Sequence, residues 1–313
     1  MTDLSKNVIC SKTNIENEMT SSKFIAGYWR LHSWCFTTQQ LVAFVEQHME
    51  LGINSVDHAW IYQSEKIFGK AIKLSPSLRN QLHIISKCGI KPGNRNLAKS
   101  EPFLYARETS HYSSNAKTII TSCEQSLTDL NTDYIDLLLL HRPDYLMPID
   151  EIANAFDKLK SSGKVKHFGV SNFSRDQFKL LQSGLNIPLV TNQIEFSPMQ
   201  TSALNSGVLE QSQINNIGIM AWSCLAGGDL FRSDSEQAKR VRSTLQLIAE
   251  EIGADNIEQV VYAWLLKHPC KIYPMIGSSK IERYKNAVKS LQLNLDHEHW
   301  YQILEASRGC SVD

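Results

Sequence analysis

The chain has 313 residues, of which 42% are hydrophobic, and its 32 basic and 32 acidic side chains give a formal net charge of zero. This neutral balance lacks the basic surface that nucleic acids or anionic membranes attract, so we expect neither as a partner. No apolar run approaches the roughly 18 residues that are needed to span a bilayer.

Residues 1–23 are rich in polar side chains, with neither the apolar segment of a secretory signal nor any arginine. They predict a flexible N-terminal tail that precedes one domain over 24–313. The seven cysteines are odd in number and scattered, without a CxxC pair. This pattern favours reduced core thiols over disulfides or a metal site and predicts a cytoplasmic protein.

Hydrophobic spacing along the rest of the chain alternates between the periods of strands and helices. Strands are predicted at 24–28, 53–57, 83–87, 134–140, 165–170, 189–194, 217–222 and 272–276. Helices are predicted from Thr37 or Thr38 to Gly52, from Ser113 or Ser114 to Leu130, and at 65–74, 151–159, 175–182, 202–213, 236–251, 257–267, 281–288 and 297–306.

The alternation repeats about eight times, with no linker or change of composition between units. Such alternation indicates an α/β fold with a parallel sheet covered by helices. Eight units in this length favour a single-domain, closed (β/α)8 TIM barrel over a doubly wound sheet. A doubly wound sheet would usually show a glycine-rich nucleotide motif after its first strand, and this sequence contains neither GxGxxG nor GxxxxGK[ST].

Polar, chemically useful side chains recur where the predicted strands end. They are Asp57, Lys87, His141, Asn172, Gln193, Ser223 and Ser278. Each alone has an ordinary explanation: Asp57 can cap a loop, Lys87 can be a surface lysine, and His141 can be structural. In a barrel, however, all strand ends meet at the face that carries the active site. The recurrence therefore predicts an active site at this face.

Tyr62 follows Asp57 by five residues, and barrel geometry would bring Lys87 and His141 close to both. A phenol has an ordinary pKa near 10, which a neighbouring ammonium lowers while a carboxylate keeps that ammonium charged. With a histidine donating to the same oxygen, the group can protonate the oxyanion formed when hydride reaches a carbonyl carbon. One histidine and one aspartate are too few for zinc, so we expect no metal.

From Gly27 to about Ala287 the sequence resembles the aldo-keto reductase superfamily. The matching segments are Asp57-His58-Ala59-Trp60-Ile61-Tyr62, Ser86-Lys87, Leu140-His141-Arg142-Pro143-Asp144, Gly169-Val170-Ser171-Asn172-Phe173, Asn192-Gln193-Ile194-Glu195-Phe196, Ala221-Trp222-Ser223-Cys224-Leu225 and 276–283. Gly27-Tyr28-Trp29-Arg30 and 277–283 look most like a bacterial branch of largely uncharacterised cytosolic members.

The resemblance implies a role for each matching residue. Tyr62 is the general acid, Lys87 its activator, Asp57 the partner of Lys87, and His141 the donor that orients the carbonyl. The resemblance also implies a nicotinamide cofactor bound without a Rossmann fold. Residues that would contact it are Ser171, Asn172 and Gln193 at the carboxamide, Phe196 stacked on the ring, and Ser223, Leu225, Gly277, Ser278, Lys280 and Arg283.

The far end of the cofactor is expected at 277–283, where a helix N-terminus favours an anion. Lys280 and Arg283 could pair with a 2′-phosphate, so NADPH is favoured over NADH. A solvated basic helix start is the alternative explanation for Lys280. The substrate would be a small carbonyl compound, and family habit suggests a monomer.

Two features bear on the substrate side. The family usually has glycine after Tyr62, whereas this chain continues Gln63-Ser64-Glu65, so the surface there is expected to differ. Four aromatic residues on or near rim loops could form an apolar substrate wall or could equally anchor loops: Trp29, Trp34, Trp60 and Phe103. The polar segment 89–112 is long enough to act as a lid.

Two other functions share some of these residues. An NADPH-binding regulatory or sensor subunit would keep the fold and cofactor but would not need the four-residue proton relay. A Schiff-base aldolase could use Lys87 as its nucleophile, since barrel lyases place a lysine at a strand end. That second alternative leaves Asn172, Gln193 and 277–283 unexplained.

Overall fold

We describe residues 7–8, 20–93 and 109–312 of the chain from a computed structural model. Phe103, the middle of the predicted lid and most of the predicted tail lie outside these ranges. Within them, no helix combines the length and the apolar character that a membrane crossing requires.

Eight of the described strands form one barrel, and four strands of two residues each lie outside it. They are β1 (Asn7–Val8), β2 (Thr20–Ser21), β3 (Ile25–Gly27), β4 (Ser55–Asp57), β5 (His83–Cys88), β6 (Ile90–Lys91), β7 (His111–Tyr112), β8 (Ile135–Leu140), β9 (Val165–Ser171), β10 (Leu189–Glu195), β11 (Gly218–Trp222) and β12 (Ile272–Ile276).

Helices follow most of the barrel strands and cover the outside of the sheet. They are α1 (Thr38–Glu50), α2 (Glu65–Leu74), α3 (Ala116–Leu130), α4 (Ile149–Ser161), α5 (Arg175–Ser183), α6 (Val208–Ile214), α7 (Asp229–Arg232), α8 (Glu236–Ile252), α9 (Ile257–Lys267), α10 (Ile281–Lys289) and α11 (His297–Arg308).

The eight barrel strands are all parallel and close on themselves in the order β3-β4-β5-β8-β9-β10-β11-β12. Closure occurs where β12 pairs with β3, with Met275 opposite Ile25 and Ile276 opposite Ala26. The predicted (β/α)8 barrel is therefore confirmed. Because the strands are parallel, their carboxyl ends lie at one face, as the prediction of a shared site required.

The core has an inner and an outer layer, as alternation along the strands demands. Strand β8 is buried along its whole length, which explains why its sequence is almost continuously apolar. The outer layer is formed by helix faces such as Leu41, Phe44 and Val45 of α1. Thr37 caps α1 as predicted, because its side chain accepts a hydrogen bond from the Gln40 backbone.

Two local predictions need correction. Asn115, rather than Ser113 or Ser114, caps α3, because Ser114 instead donates its hydroxyl to Asp144 Oδ2 at 3.1 Å. The end of the predicted tail belongs to the folded body, since Ser21 and Ser22 are buried. Ser21 Oγ lies 2.8 Å from Ser55 Oγ of β4, and this contact holds the segment against the barrel.

Candidate active site

A lysine and an aspartate from neighbouring strands form a buried ion pair at the carboxyl face. Lys87 Nζ of β5 lies 2.5 Å from Asp57 Oδ1 of β4 and donates to the His58 carbonyl at 2.7 Å. Lys87 is only 1% exposed. Burial works to lower the pKa of the ammonium, but the Asp57 carboxylate and the Tyr62 phenol outweigh it and raise that pKa. Lys87 is therefore a charged group.

Tyr62 ends a 3-10 turn, Trp60–Tyr62, that follows β4 and carries its phenol back over the strand ends. The Tyr62 hydroxyl lies 3.5 Å from Lys87 Nζ and 3.4 Å from His141 Nε2. The Lys87 ammonium also lies 4.8 Å from the centre of the Tyr62 ring. The structure thus brings Asp57, Tyr62, Lys87 and His141 together, as the sequence predicted. We call these four residues the tetrad.

The protonation states of the phenol and the imidazole follow from burial. Burial raises the pKa of Tyr62, and the Lys87 ammonium only partly opposes that rise. The lowering by lysine expected from sequence is therefore present but smaller than the effect of burial. Burial, Lys87 and Arg142 lower the pKa of His141 to about 2. At neutral pH the phenol is protonated and the imidazole is neutral.

A cavity of about 970 Å³ opens over this group and extends along the carboxyl face. Twelve of the fourteen predicted site residues line the cavity: Asp57, Tyr62, His141, Ser171, Asn172, Gln193, Ser223, Leu225, Gly277, Ser278, Lys280 and Arg283. Lys87 lies behind the wall and Phe196 lies elsewhere. A nucleophilic role for Lys87 is disfavoured, because a charged ammonium hidden behind the wall cannot attack a carbonyl.

Polar side chains at the ends of β9 and β10 form one wall beside Tyr62. Asn172 Nδ2 donates to Ser171 Oγ at 2.8 Å and to the His141 carbonyl at 3.3 Å. Gln193 Nε2 donates to Asp57 Oδ2 at 2.8 Å, so the wall and the ion pair share one network. Asn172 adopts a left-handed φ of 61°, which turns the chain sharply at the strand end.

The predicted placement of Phe196 is corrected by the direction of its side chain. Phe196 is fully buried, with its ring 5.3 Å from that of Trp264 on α9. Side chains alternate along β10, so Gln193 and Phe196 fall on opposite faces. Trp222, at the end of β11, is instead the aromatic side chain that borders the cavity beside Asn172. Its Nε1 donates to Asn172 Oδ1 at 3.2 Å.

The sequence reasoning missed Trp222, although the signal was available. Trp222 stands directly before the predicted residue Ser223, and it is level with Glu195 in the parallel register. Glu195 is two residues from Gln193, so both share the face that Gln193 presents to the barrel interior. Counting strand parity from Gln193 points to Trp222 once the register of β10 and β11 is known.

The opposite end of the cavity is basic. Lys280 is exposed and Arg283 is half-buried, and both line the cavity around the start of α10. Helix α10 begins at Ile281, and Lys280 offers no side-chain cap, so the first backbone N–H groups of the helix remain available to an anion. Arg30 and Arg232 add two more guanidinium groups to the lining.

These features fit a dinucleotide with the nicotinamide near Tyr62. The cavity has amide and hydroxyl groups at one end and cations at the other, as a nicotinamide joined to a phosphorylated adenosine requires. A Cβ added at Gly227 would meet no atom within 4 Å, so the lining there leaves space beside the backbone. Glu258, at the basic end, has a buried oxygen without a hydrogen-bond partner among residues 20–93 and 109–312.

The aromatic residues on the rim have different positions. Trp29 and Trp34 line the cavity, with the Trp29 ring 6.4 Å from that of Tyr62. Trp34 also packs on Tyr28 and Phe44, so it serves as a loop anchor as well. Trp60 borders a separate, smaller cavity with Lys66 and Lys70.

The Aldo/keto reductase family profile matches residues 23–308. This chain belongs to the aldo-keto reductases. Oxidoreductase YdhF of Escherichia coli (strain K12) is 48% identical over 93% of this chain and 95% of its own length. The uncharacterized oxidoreductase YcsN of Bacillus subtilis (strain 168) is 41% identical over 96% of this chain and 99% of its own length. These two relatives confirm the predicted resemblance to bacterial aldo-keto reductases.

A third relative carries a more specific name. The 6-dehydroglucose reductase of Agrobacterium fabrum (strain C58 / ATCC 33970) is 38% identical over 95% of this chain and 98% of its own length. The family and these relatives show that this aldo-keto reductase is an NAD(P)H-dependent oxidoreductase.

Solved structures of aldo-keto reductases share the fold at lower identity. The thermostable enzyme Tm1743, crystallised with the inhibitor epalrestat, matches with a TM-score of 0.76 at 23% identity and covers 96% of this chain and 99% of its own. An aldo/keto reductase from Klebsiella pneumoniae in complex with NADP and acetate has a TM-score of 0.70 at 23% identity, covering 91% of each chain.

Proposed function

We propose that this enzyme reduces an aldehyde or ketone to an alcohol with NADPH, using Tyr62 as the proton donor. The observation that carries the proposal is the Tyr62 hydroxyl in the cavity wall, between a charged lysine at 3.5 Å and a neutral histidine at 3.4 Å. The amides of Asn172 and Gln193 lie next to it in the same wall. A carbonyl oxygen placed against the phenol would contact both Tyr62 and His141.

Tyr62 is the group best suited to give the proton. His141, with a pKa of about 2, carries no proton to donate as an acid at neutral pH and acts as a neutral hydrogen-bonding group. Lys87 is buried behind Tyr62 and has no access to the cavity. When the Tyr62 proton moves to the developing oxyanion, the nearby Lys87 ammonium stabilises the phenolate that remains.

The remaining residues hold this arrangement. Asp57 keeps Lys87 charged and oriented, and Gln193 fixes the second oxygen of the same carboxylate. When bound, the nicotinamide supplies the hydride. Ser171, Asn172 and Gln193 would hold its carboxamide, and Trp222 would lie against the ring. The Trp222–Asn172 hydrogen bond would keep the indole and the amide in a fixed relation.

Lys280 and Arg283 support a preference for NADPH over NADH. Both line the end of the cavity farthest from the tetrad, at the N-terminus of α10. A guanidinium can bind a phosphate through two parallel N–H groups, and a free helix N-terminus adds backbone donors. The related enzyme from Klebsiella pneumoniae was crystallised with NADP.

The substrate wall combines aromatic and polar groups, which suits a small polar carbonyl compound. Trp29 and Ile61 border the space above Tyr62, and Arg142 follows His141 on the same rim. The relatives named 6-dehydroglucose reductase suggest an oxidised sugar as one candidate to test. We further propose a cytoplasmic monomer, because the scattered cysteines without a CxxC pair favour reduced thiols and because monomers are the habit of the family.

The test is NADPH oxidation by purified enzyme with a reactive aldehyde such as 4-nitrobenzaldehyde, with NADH in parallel. Tyr62→Phe should lower turnover by roughly 10²–10⁴-fold, the usual contribution of a general acid. Cofactor affinity, measured by fluorescence, should change little. Tyr301→Phe, which removes an exposed hydroxyl on α11, is the matched control and should leave turnover unchanged.

Two outcomes would change the proposal. Wild-type turnover in Tyr62→Phe would remove Tyr62 as the proton donor. Tight NADPH binding by the unmodified protein, without oxidation of NADPH by any aldehyde, would favour the sensor subunit instead.

A further inference from the structure

A buried acid lies at the basic end of the cavity. Glu258 is in the first turn of α9, lines the cavity with Arg283 and is only 6% exposed. Its Oε1 atom has no hydrogen-bond partner within the described part of the chain. A buried acceptor left without a donor destabilises the folded protein. The Glu258 carboxylate borders the cavity and is therefore suited to receive a donor from a ligand.

The groups around Glu258 supply its carboxylate with only part of the hydrogen bonds that it can accept. Arg283 Nη1 is 3.7 Å from Oε1, which is an ion pair but is too long for a hydrogen bond. The Asn286 side chain favours the charged form of the carboxylate and so acts to lower its pKa. Burial raises the pKa of Glu258, and Arg283 and Asn286 only partly oppose that rise. The carboxylate thus lacks a complete set of donors in the free protein.

Arg283 is shared between this acid and the proposed phosphate site. Its guanidinium lies 5.5 Å from the ring centre of Phe231 on α7, and its side chain is 40% exposed. The guanidinium can therefore reach the cavity while Glu258 lies beside it. A phosphate bound to Arg283 would bring a second anion close to a carboxylate in a place that solvent screens poorly.

A ribose hydroxyl and a ribose phosphate would meet this carboxylate differently. A hydroxyl can donate its hydrogen to the carboxylate, as the acidic residue of Rossmann-type proteins accepts from the 2′-hydroxyl of NAD. A 2′-phosphate has no such hydrogen when ionised and would be repelled. Glu258 and the Lys280–Arg283 cations therefore favour opposite substituents at the same ribose position.

We propose that the Glu258 carboxylate accepts a hydrogen bond from the 2′-hydroxyl of the adenosine ribose and so limits the preference for NADPH over NADH. This inference rests on the proposed function, because it requires a nicotinamide dinucleotide with its adenosine end at α10. Glu258 is then a specificity-determining residue, and the unmodified enzyme binds both cofactors.

The test compares adenosine 5′-monophosphate with adenosine 2′,5′-bisphosphate, which differ only by the 2′-phosphate. Calorimetry would measure both dissociation constants in the unmodified protein and in Glu258→Gln. In Glu258→Gln we expect the ratio of the two affinities to shift roughly tenfold or more towards the bisphosphate. Losing a hydrogen bond to a charged acceptor lowers the affinity for the monophosphate by about tenfold. Fluorescence titration with NADPH and NADH should show the same shift.

Glu282→Gln is the matched control, because it removes an equal charge one residue from Arg283. The Glu282 side chain is 73% exposed and pairs with Lys285 at 2.7 Å, so its loss should leave the ratio nearly unchanged. Glu258→Ala provides a second variant that also removes the acceptor. Thermal melting would check that each variant is folded.

A further variant separates direct contact with the ribose from an effect through Arg283. In an Arg283→Ala background, a direct contact still makes Glu258→Gln weaken the monophosphate. Disappearance of the Glu258 effect in that background would reduce Glu258 to a positioning residue and would overturn the proposal.

The fragments lack nicotinamide, so their binding does not depend on Tyr62 or on turnover. Binding of both fragments with an unchanged ratio in Glu258→Gln would overturn this inference and leave the proposed reaction intact. Binding of neither fragment would overturn both the inference and the placement of the cofactor.

Discussion

Two buried ion pairs lie at opposite ends of the barrel and differ in how completely their donors are used. Lys87 and Asp57 meet at the carboxyl ends of β5 and β4. Arg79 and Asp136 meet near the amino ends of β5 and β8, with Arg79 Nη2 2.8 Å from Asp136 Oδ2. Both pairs are almost fully removed from solvent.

The lower pair, Arg79–Asp136, uses four of the five guanidinium N–H groups of Arg79. Arg79 also donates to Thr132 Oγ1 at 2.6 Å, to the Leu82 carbonyl at 3.0 Å and to the Tyr134 carbonyl at 2.8 Å. Its guanidinium lies 3.7 Å from the centre of the Tyr134 ring. A guanidinium with this many short bonds holds its neighbours rigidly and has little capacity for a ligand.

The upper pair, Lys87–Asp57, has one long contact, which is made by Lys87. Lys87 makes two short contacts, at 2.5 Å to Asp57 and 2.7 Å to the His58 carbonyl, but its third, to Tyr62, is 3.5 Å. That long contact leads to the group facing the cavity. In the mechanism that we propose, the two ion pairs differ in function because only Lys87 keeps a donor in reserve for charge that develops during the reaction.

The largest expected effect comes from breaking the upper pair. If Tyr62 is the proton donor, as we propose, Lys87→Met should lower turnover by roughly 10²–10⁴-fold, because the phenolate left on Tyr62 loses the ammonium that stabilises it. The measurement is steady-state NADPH oxidation with an aldehyde. Lys166→Met is the control, since Lys166 is half-exposed and 3.1 Å from Asp136 at the other end of the barrel. Equal losses in both variants would remove the distinction between the two ends.

Breaking the lower pair should lower stability and leave turnover almost unchanged. Arg79→Met should lower the free energy of unfolding by about 3–5 kcal/mol, because Asp136 is left buried without its closest cation. Turnover per folded molecule should stay within about twofold of the unmodified enzyme, since no atom of the cavity is lost. Urea unfolding and turnover would be measured on the same samples, and a fall in turnover larger than the fall in folded fraction would contradict this prediction.

A third buried charge extends the comparison to an acid held by hydroxyls instead of a cation. Glu65 of α2 is 1% exposed and accepts hydrogen bonds from Ser86 Oγ and from Ser126 Oγ, the latter at 2.9 Å. Burial raises the pKa of Glu65 from 4.5 to about 7, and the two serines only partly oppose it. The folded state therefore binds this proton more tightly than the unfolded state.

The sign of the pH effect follows from that raised pKa. The stability that protonated Glu65 contributes is complete below about pH 4.5 and is lost as the pH rises through about 7. The slope in that window approaches about 1.4 kcal/mol per pH unit. Glu65→Gln should flatten this part of the curve, as urea unfolding at several pH values would show. The same slope in both proteins would exclude Glu65 as its source.

The smallest expected effect concerns the backbone that carries Tyr62. Gln63 has a left-handed φ of 58°, a conformation that glycine adopts without the cost of about 1–2 kcal/mol paid by other residues. Gln63→Gly should therefore raise the free energy of unfolding by about 0.5–1 kcal/mol. The same change at Gln246, inside α8, should lower it by about 1 kcal/mol. A loss at both positions would show that the left-handed turn carries no strain.

The barrel and the positions of Asp57, Lys87 and His141 were predictable because they follow from strand ends, and Tyr62 follows β4 after one short turn. A strand that ends in Asp57, Lys87 or His141 places that residue at the carboxyl face whatever the details of packing. The sequence did not reveal how deeply Lys87 is buried. Nor did it reveal that the burial of Tyr62 raises its pKa by more than the Lys87 ammonium lowers it. Those properties depend on neighbours far away in sequence.

Residues outside the strand ends were harder to predict. Phe196 was placed in the site because an aromatic residue follows Glu195, but strand alternation directs it outward and brings Trp222 inward. Glu258 was missed because an acid in the first turn of a helix is ordinary on sequence grounds. Only the packing of α9 against the cavity shows that it is buried there.

The closure of the barrel through β12 and β3 has a consequence for biosynthesis. The first barrel strand in the chain pairs with the last, which ends at Ile276. A ribosome must therefore translate most of the message before β3 gains its second neighbour. Until then the emerging polypeptide holds an open sheet whose exposed edge can pair with other nascent chains. Premature termination before β12 should consequently yield aggregated or degraded fragments rather than smaller, partly active reductases.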